Sequence, residues 1–435
     1  MNRHMTVLGG GLSGLAVAQR ATQLGFDIDV YEANEQVGGH ASSHRTELGY
    51  TFDEGPHISF TKNDAIRDLL AKAVDDKHWE FEASIFNLWR AHWVRHPAQC
   101  NLFGLPLDTV ANSIVDLAKA QSLGDRVPVN YGEWCRFGLG DTFCEQFSFP
   151  YTRKYWTVEA EVMSTDWVGS RVYAPKIEEV VRGALGQSNG DLNYITRFRY
   201  PKSGGFGSYI SAVNTVSPDR IHLRRRVVGV DQHRKEITFS DGERVSYDFL
   251  VSSLPITRLI EFMRDVPTSV LEASKRLVCT SVTLVNISLR RAEGFPGGHW
   301  FYVYDEDLII SRVHYPHRLS PGNAPAGCGS IQVEVYHSRF KPLPTVNVAE
   351  RVVEELRSMF VILPDDDICD VHEMAIPFAN ILFTLERENA LQHVNDYLAT
   401  HGVHGCGRFG EWKYYWSDDS ILSGWRVAEA IHDLL

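Results

Sequence analysis

The chain has 435 residues, with 43 Lys and Arg against 55 Asp and Glu and a net charge of −12, and this length accommodates two or three lobes with sizeable cores. The acidic balance speaks against broad binding to nucleic acid or to an anionic membrane, so an anionic ligand has to meet arginines placed locally. Seven cysteines without a CxxC pair read as reduced thiols of a cytoplasmic, metal-free protein, and neither a secretory leader pattern nor a run of apolar residues long enough to span a bilayer is present.

Residues 4–8 (HMTVL) form a short apolar run that predicts a buried strand, and residues 13–24 (SGLAVAQRATQL) have helical periodicity closed by Gly25. Residues 27–31 (DIDVY) alternate as a second strand that ends at Glu32. Gly9, Gly11 and Gly14 therefore fall as GxGxxG between a strand and a helix. In that position the first glycine permits a tight turn, the second lets the backbone approach a pyrophosphate, and the third lets helix and strand pack closely. Ser13 opens the helix whose N-terminus faces the phosphates, and Glu32 is placed to take the ribose hydroxyls of the adenosine half.

Residues 62–198 are rich in helical patterns and tryptophan. Between 221 and 254, IHLRRRVVGV, EITF and RVSYDFLVSSLP read as consecutive strands around an SDGE turn. Residues 257–399 mix strand-like runs (SVTLVNISL, IQVEVY) with a helical one (VNVAERVVEELRSMF). Residues 403–410 read as a strand, and a helix runs from Ser420 to the end. The expected fold class is α/β: a Rossmann-type nucleotide domain assembled from 1–61, 199–256 and 400–435, interrupted by a mainly helical substrate lobe at 62–198 and a mixed antiparallel-sheet lobe at 257–399.

After Glu32 the sequence continues EANEQVGGH, and Gly38-Gly39 resemble the glycine pair of the amine oxidase-like FAD superfamily, with His40 where an arginine is usual. The RRRVVGV run and its hairpin resemble that superfamily's second adenine-contacting segment, which puts Val227 near an adenine. Four further elements occur in order: Gly55-Pro56-His57-Ile58 followed by Ser-Phe-Thr; Tyr151-Thr-Arg-Lys-Tyr-Trp156; Tyr200-Pro-Lys-Ser-Gly204-Gly205-Phe; and Gly407-Arg408-Phe-Gly410-Glu411-Trp-Lys-Tyr414-Tyr415. Together they resemble the isoalloxazine-side GxHIFHT element, the uridine-binding YTxKxW stretch, the glycine pair and the GRxxEYKYY element of the UDP-galactopyranose mutases, flavoenzymes that contract a nucleotide-linked pyranose to a furanose. The departures are Phe60, where that family has a second histidine, and Trp416, where it has an aspartate after KYY. A further sugar-side tyrosine pair of the family has no evident counterpart.

The resemblance implies FAD as cofactor, in its reduced form for a mutase, with NAD(P)H as an external reductant, and a nucleotide-diphosphate sugar or other small molecule as substrate. It assigns His57, Arg171, Arg312 and Arg408 to the reacting centre, the arginines at 171 and 312 holding the diphosphate, a role suited to a guanidinium fork. It assigns Tyr151, Trp156, Tyr414 and Tyr415 to the substrate, and Gly410, Glu411, Ser420 and Ile421 to the cofactor, the last two at a helix N-terminus facing the flavin pyrimidine. The chemistry implied is attack by reduced flavin N5 on the anomeric carbon with departure of the diphosphate. Two other readings of the same fold are a net oxidoreductase similar to amine or protoporphyrinogen oxidases, and a flavin-free interaction protein similar to Rab escort proteins, which the intact glycines and Glu32 disfavour. An oligomer is compatible with each.

Overall fold

The computed structural model describes residues 4–124, 126–169, 171–187 and 192–435. Its first sheet has five parallel strands in the order Val403–Gly405, Phe249–Ser252, His4–Leu8, Asp27–Tyr31, Ile221–His222. The central strand His4–Leu8 is apolar and buried along nearly its whole length, as a parallel strand covered on both faces must be. Helix Leu12–Gln23 returns the chain between the first two strands, and the final helix, Ser417–Asp433, lies against it. The approach of these helices is close enough that a Cβ on Gly424 would sit 2.8 Å from the Ala16 side chain. Trp425 Nε1 donates to Gln19 Oε1 at 3.1 Å across the same contact.

The consecutive strands expected after residue 221 divide between two sheets. Ile221–His222 and Phe249–Ser252 join the parallel sheet, while Val227–Asp231, Glu236–Phe239 and Arg244–Ser246 form a separate antiparallel meander. Near the C-terminus the expected strand at 403–410 stops at Gly405, because Gly407 turns the chain at φ +76° into the helical turn Gly407–Gly410.

A second large sheet has seven strands. Its order is Ile368–Ile376, Ser281–Leu289, Gly329–His337, Arg312–His314, Trp300–Val303, Ile85–Trp89, His92–Arg95, antiparallel apart from the parallel pairing of Trp300–Val303 with Ile85–Trp89. Segment 62–198 thus lends two strands to this sheet besides its helices, since IFNLW buries one apolar face against Trp300–Val303. The helical part includes Leu107–Ser122, Tyr131–Leu139 and Phe149–Tyr155, the last entered through a π-helical turn at Cys144–Ser148. Lys154 pins Phe149–Tyr155 to the sheet: its buried ammonium donates to the Val303 and Asp305 carbonyls at 3.0 and 2.6 Å, and burial holds it at about 7. Among the described residues no helix is long and apolar enough to cross a membrane.

Candidate active site

Between the parallel sheet, the seven-stranded sheet and the helical segment runs one continuous cleft of about 1630 Å³. Single-ligand pockets occupy roughly 300–1,000 Å³. The cleft therefore has room for a dinucleotide and a substrate together.

At one end lie Gly9, Gly11, Ser13, Glu32, Gly38, Gly39 and Val227. A Cβ on Gly11 would meet nothing nearer than 3.9 Å on the protein side, so the backbone there faces open space, and Gly11 bridges to Gly38. Gly14 lies behind this wall, where a Cβ would collide with the Gly9 carbonyl oxygen. The Glu32 carboxylate is buried and held by the N–H groups of Gly10 at 2.7 Å and Asn34 at 2.8 Å. Each of its oxygens keeps a lone pair for a hydroxyl donor. Val227 opens the meander beside a bulge at Val227/Gly229, and both Val227 and Val228 line the cleft.

Further along, Glu54 accepts from His40 Nδ1 at 3.0 Å and from His44 Nε2 at 3.1 Å. Burial would raise its carboxyl, but these two hydrogen bonds outweigh it and hold Glu54 at about 2. The bond to Glu54 raises His44 in turn. His40, which replaces the usual arginine, is therefore tied to a carboxylate of the next hairpin and stands edge-on to Phe409 at 5.7 Å. His57 is buried to about 4, so it is neutral, and its Nδ1 lies 3.0 Å from the Gly55 carbonyl. Asp53, one residue before Glu54, accepts from Tyr200 at 2.7 Å and from the Phe206 N–H at 3.0 Å, fixing the Gly204-Gly205 turn to this hairpin.

The three arginines differ in how their charge is answered. Arg312, in the apolar strand Arg312–His314, is ion-paired: Glu334, opposite it on the adjacent strand, takes Nη2 at 2.7 Å and also Nε, and does not use Nη1. Arg171 donates Nη2 to the Tyr414 carbonyl at 2.7 Å and lies over the rings of Tyr414 and Trp416 at 4.6 and 4.5 Å. Arg408 donates to Asn380 Oδ1 at 2.8 Å and covers Tyr414 at 4.8 Å. Both bond to neutral acceptors beside the cleft, and each leaves a buried Nε without a hydrogen-bond partner among the described residues. Around them are Tyr151, whose buried hydroxyl is also unpartnered, and Trp156, edge-on to Tyr414 at 5.7 Å.

The sequence profile of the flavin-containing amine oxidoreductases matches residues 12–432. The chain belongs to that family. Among solved structures, that of a reduced UDP-galactopyranose mutase superposes with a TM-score of 0.93 at 25% identity, covering 100% of this chain and 96% of that one. A putative protoporphyrinogen oxidase from Exiguobacterium superposes at 0.77 and 18% identity over the full length of both chains, and putrescine oxidase at 0.68 and 15%. The 4,4'-diaponeurosporene oxygenase of Staphylococcus aureus is 41% identical over 58 residues, which is 13% of this chain and 12% of that protein.

The two halves of the cleft are built from distant parts of the chain, and not every residue expected there faces it. The final helix begins at Ser417, because the Asp419 carboxylate accepts the Trp416 N–H at 3.1 Å. Ser420 consequently spends its own N–H on the Trp416 carbonyl at 3.0 Å and has no free backbone donor for a flavin pyrimidine, although its side chain borders the cleft. Ile421 is fully buried in the core and is not among the residues that line the cleft. Gly410 packs on the Ser252 carbonyl, and Glu411 is turned away to hold Lys413 at 3.0 Å and the Tyr415 hydroxyl at 2.9 Å. Tyr415 lines the cleft while its hydroxyl is held by Glu411. Sequence patterning missed Tyr155, Tyr194, Tyr302 and Tyr336, all of which line it. Strand alternation marks the last two, since Tyr302 is the register partner of Arg312 and Tyr336 follows Glu334 by one repeat.

Proposed function

We propose that this flavoenzyme acts on a nucleotide-diphosphate sugar and exchanges its pyranose and furanose forms, with FAD reduced. The observation that carries the reading is the pair of guanidinium groups, Arg171 and Arg408, that flank the Tyr414 ring and have no carboxylate hydrogen-bond partner among the described residues, in an otherwise acidic molecule. Charge left unpaired in a partly buried site is costly unless a ligand supplies the counter-charge, and a diphosphate does so with oxygens matched to the donor forks.

The residues at the glycine end fit FAD: Gly11 leaves the backbone open where a pyrophosphate would lie, and Glu32 retains acceptors for ribose hydroxyls. Reduced FAD, when bound, supplies a nucleophilic nitrogen toward the anomeric carbon, and the demanding chemistry belongs to it. The chain's own part is positioning. Arg171 and Arg408 hold the diphosphate near the carbon it leaves, so that it returns instead of escaping. Arg312 adds the Nη1 donors that Glu334 does not use. Tyr151 and Trp156 offer faces for the base and ribose. Neutral His57 places no positive charge against the ring.

A net oxidoreductase is the second reading, favoured by the aromatic contact of Phe60 with Trp416 at 4.9 Å beside the same arginines. The test is an absorbance spectrum of the purified holoprotein from about 300 to 550 nm, before and after dithionite and then with UDP- and GDP-sugars. A flavin band perturbed by a nucleotide sugar, and no longer perturbed in Arg171→Ala, supports the mutase reading. Oxygen consumption with turnover, or a band indifferent to every nucleotide, overturns it in favour of the oxidoreductase.

A further inference from the structure

The wall between the two arginine-bearing segments contains an acceptor whose protonation state is fixed by the fold. Asn87, fully buried, donates its Nδ2 to the Val94 carbonyl at 3.3 Å across the hairpin Ile85–Trp89/His92–Arg95. That bond settles the amide orientation and turns Oδ1 toward His96, whose Nδ1 lies 3.1 Å away. An amide oxygen only accepts, so His96 Nδ1 carries the proton. Burial holds the imidazole at about 4, so the ring is neutral and its second nitrogen, Nε2, is a bare lone pair. His96 lines the cleft.

Its neighbours fix where along the cleft it acts. The ring packs at 5.1 Å against Tyr302, the register partner of Arg312. Three residues along the chain, Gln99 donates at 2.9 Å to the carbonyl of Tyr173, two residues beyond Arg171. His96 therefore stands between the segments that carry the two arginines. A lone pair repels a phosphate oxygen; what it takes is an O–H beside the phosphates.

We propose that His96 Nε2 accepts a hydrogen bond from a substrate hydroxyl adjoining the diphosphate, on the ribose or on the sugar. The inference rests on the nucleotide-sugar reading above. His96 is thus a binding and positioning residue that discriminates substrates by a donor at this point, and Asn87 acts through it by holding the tautomer.

The test titrates the FAD-loaded protein with UDP, 2'-deoxy-UDP and UDP-galactose, and with GDP and GDP-mannose, following the flavin spectrum, for wild type, His96→Phe and His96→Gln. Wild type responding to no nucleotide removes the nucleotide-sugar reading itself, and this inference with it, before any variant is measured. With wild-type binding, loss of one hydrogen bond to a neutral acceptor predicts about 5- to 100-fold weaker binding in His96→Phe. His96→Gln, which keeps an acceptor, recovers most of that loss. Equal weakening for UDP and UDP-galactose, absent with 2'-deoxy-UDP, locates the hydroxyl on the ribose; weakening for the sugar nucleotide alone locates it on the sugar. Unchanged affinity in His96→Phe for every ligand that wild type binds overturns the proposal. So does a ¹⁵N spectrum of the histidines in which His96 carries its proton on Nε2. Flavin content and melting temperature of each variant show whether a loss is structural, since a misfolded His96→Phe would weaken all ligands alike and His96→Gln would then carry the comparison.

Discussion

Residue chemistry in the middle of the cleft turns on Glu54. Its carboxyl is held at about 2 by His40 and His44, and His44 is raised above its ordinary 6.5 by the same bond. A histidine whose folded value is raised contributes stability that is complete below about 6.5 and lost as pH climbs through the raised value. Glu54, depressed, contributes above its ordinary 4.5 and loses that contribution as pH falls toward 2. Thermal midpoints of the wild type should therefore decline from pH 6 to 8.5 relative to a Glu54→Gln variant, whose profile flattens over that interval; parallel profiles would show that the histidines are not charged partners of Glu54. The sequence foretold some of this layer and not the rest, for a physical reason. Gly9, Gly11, Gly14 and Glu32 are legible because a strand, a turn and a helix within one short segment dictate them. The Arg312–Glu334 pair is not, because it depends on which strands become neighbours across the sheet.

At the scale of elements, the first and last helices carry the nucleotide end together. Gly14 brings helix Leu12–Gln23 onto the first strand, and Gly424 brings Ser417–Asp433 onto that helix. Gly424→Val forces the helices apart at Ala16 and Val17. The expected cost is of order 1–3 kcal/mol for overpacking a tight contact. Flavin release on mild heating should consequently occur at lower temperature, measured by the fluorescence of freed cofactor. Retention of flavin by Gly424→Val would mean that the last helix is only a lid on the outside. Periodicity revealed both helices, yet the start of the last one was misplaced, because the Asp419 cap on Trp416 lies outside the apolar repeat that marks the helix. The strand at 403–410 was read too long for a comparable reason: its residues are apolar enough for a strand, and the turn at Gly407 is a matter of φ, not of hydrophobicity.

Across the whole molecule, two departures that look unrelated in sequence are a single contact. Phe60 comes from the loop after the hairpin Ser43–Arg45/Thr51–Asp53 and Trp416 from the cap of the last helix, and they meet at 4.9 Å with Tyr194 stacked on Trp416 at 5.7 Å. Aromatic pairs of this kind are worth about 0.5–1.5 kcal/mol beyond the area they bury. Phe60→His and Trp416→Asp should each lower the melting point, and the two losses should be non-additive by about that amount in a double-mutant cycle, the double variant regaining a polar pair; strict additivity would separate the two positions. Such a contact is invisible to motif reading, which sees each position against its own local pattern.

The dependence of the first helix on the last has a further consequence for how the protein is made. Translation at roughly 5–20 residues per second leaves the glycine turn and its helix outside the ribosome for on the order of tens of seconds before Ser417–Asp433 exists to cover them. During that interval the nascent chain has the phosphate-binding loop but neither the wall that Arg408 and Trp416 complete nor the helix that steadies Ser13. A chain ended before Ser417 should consequently purify without flavin, and a flavin content near that of the full chain would overturn this expectation.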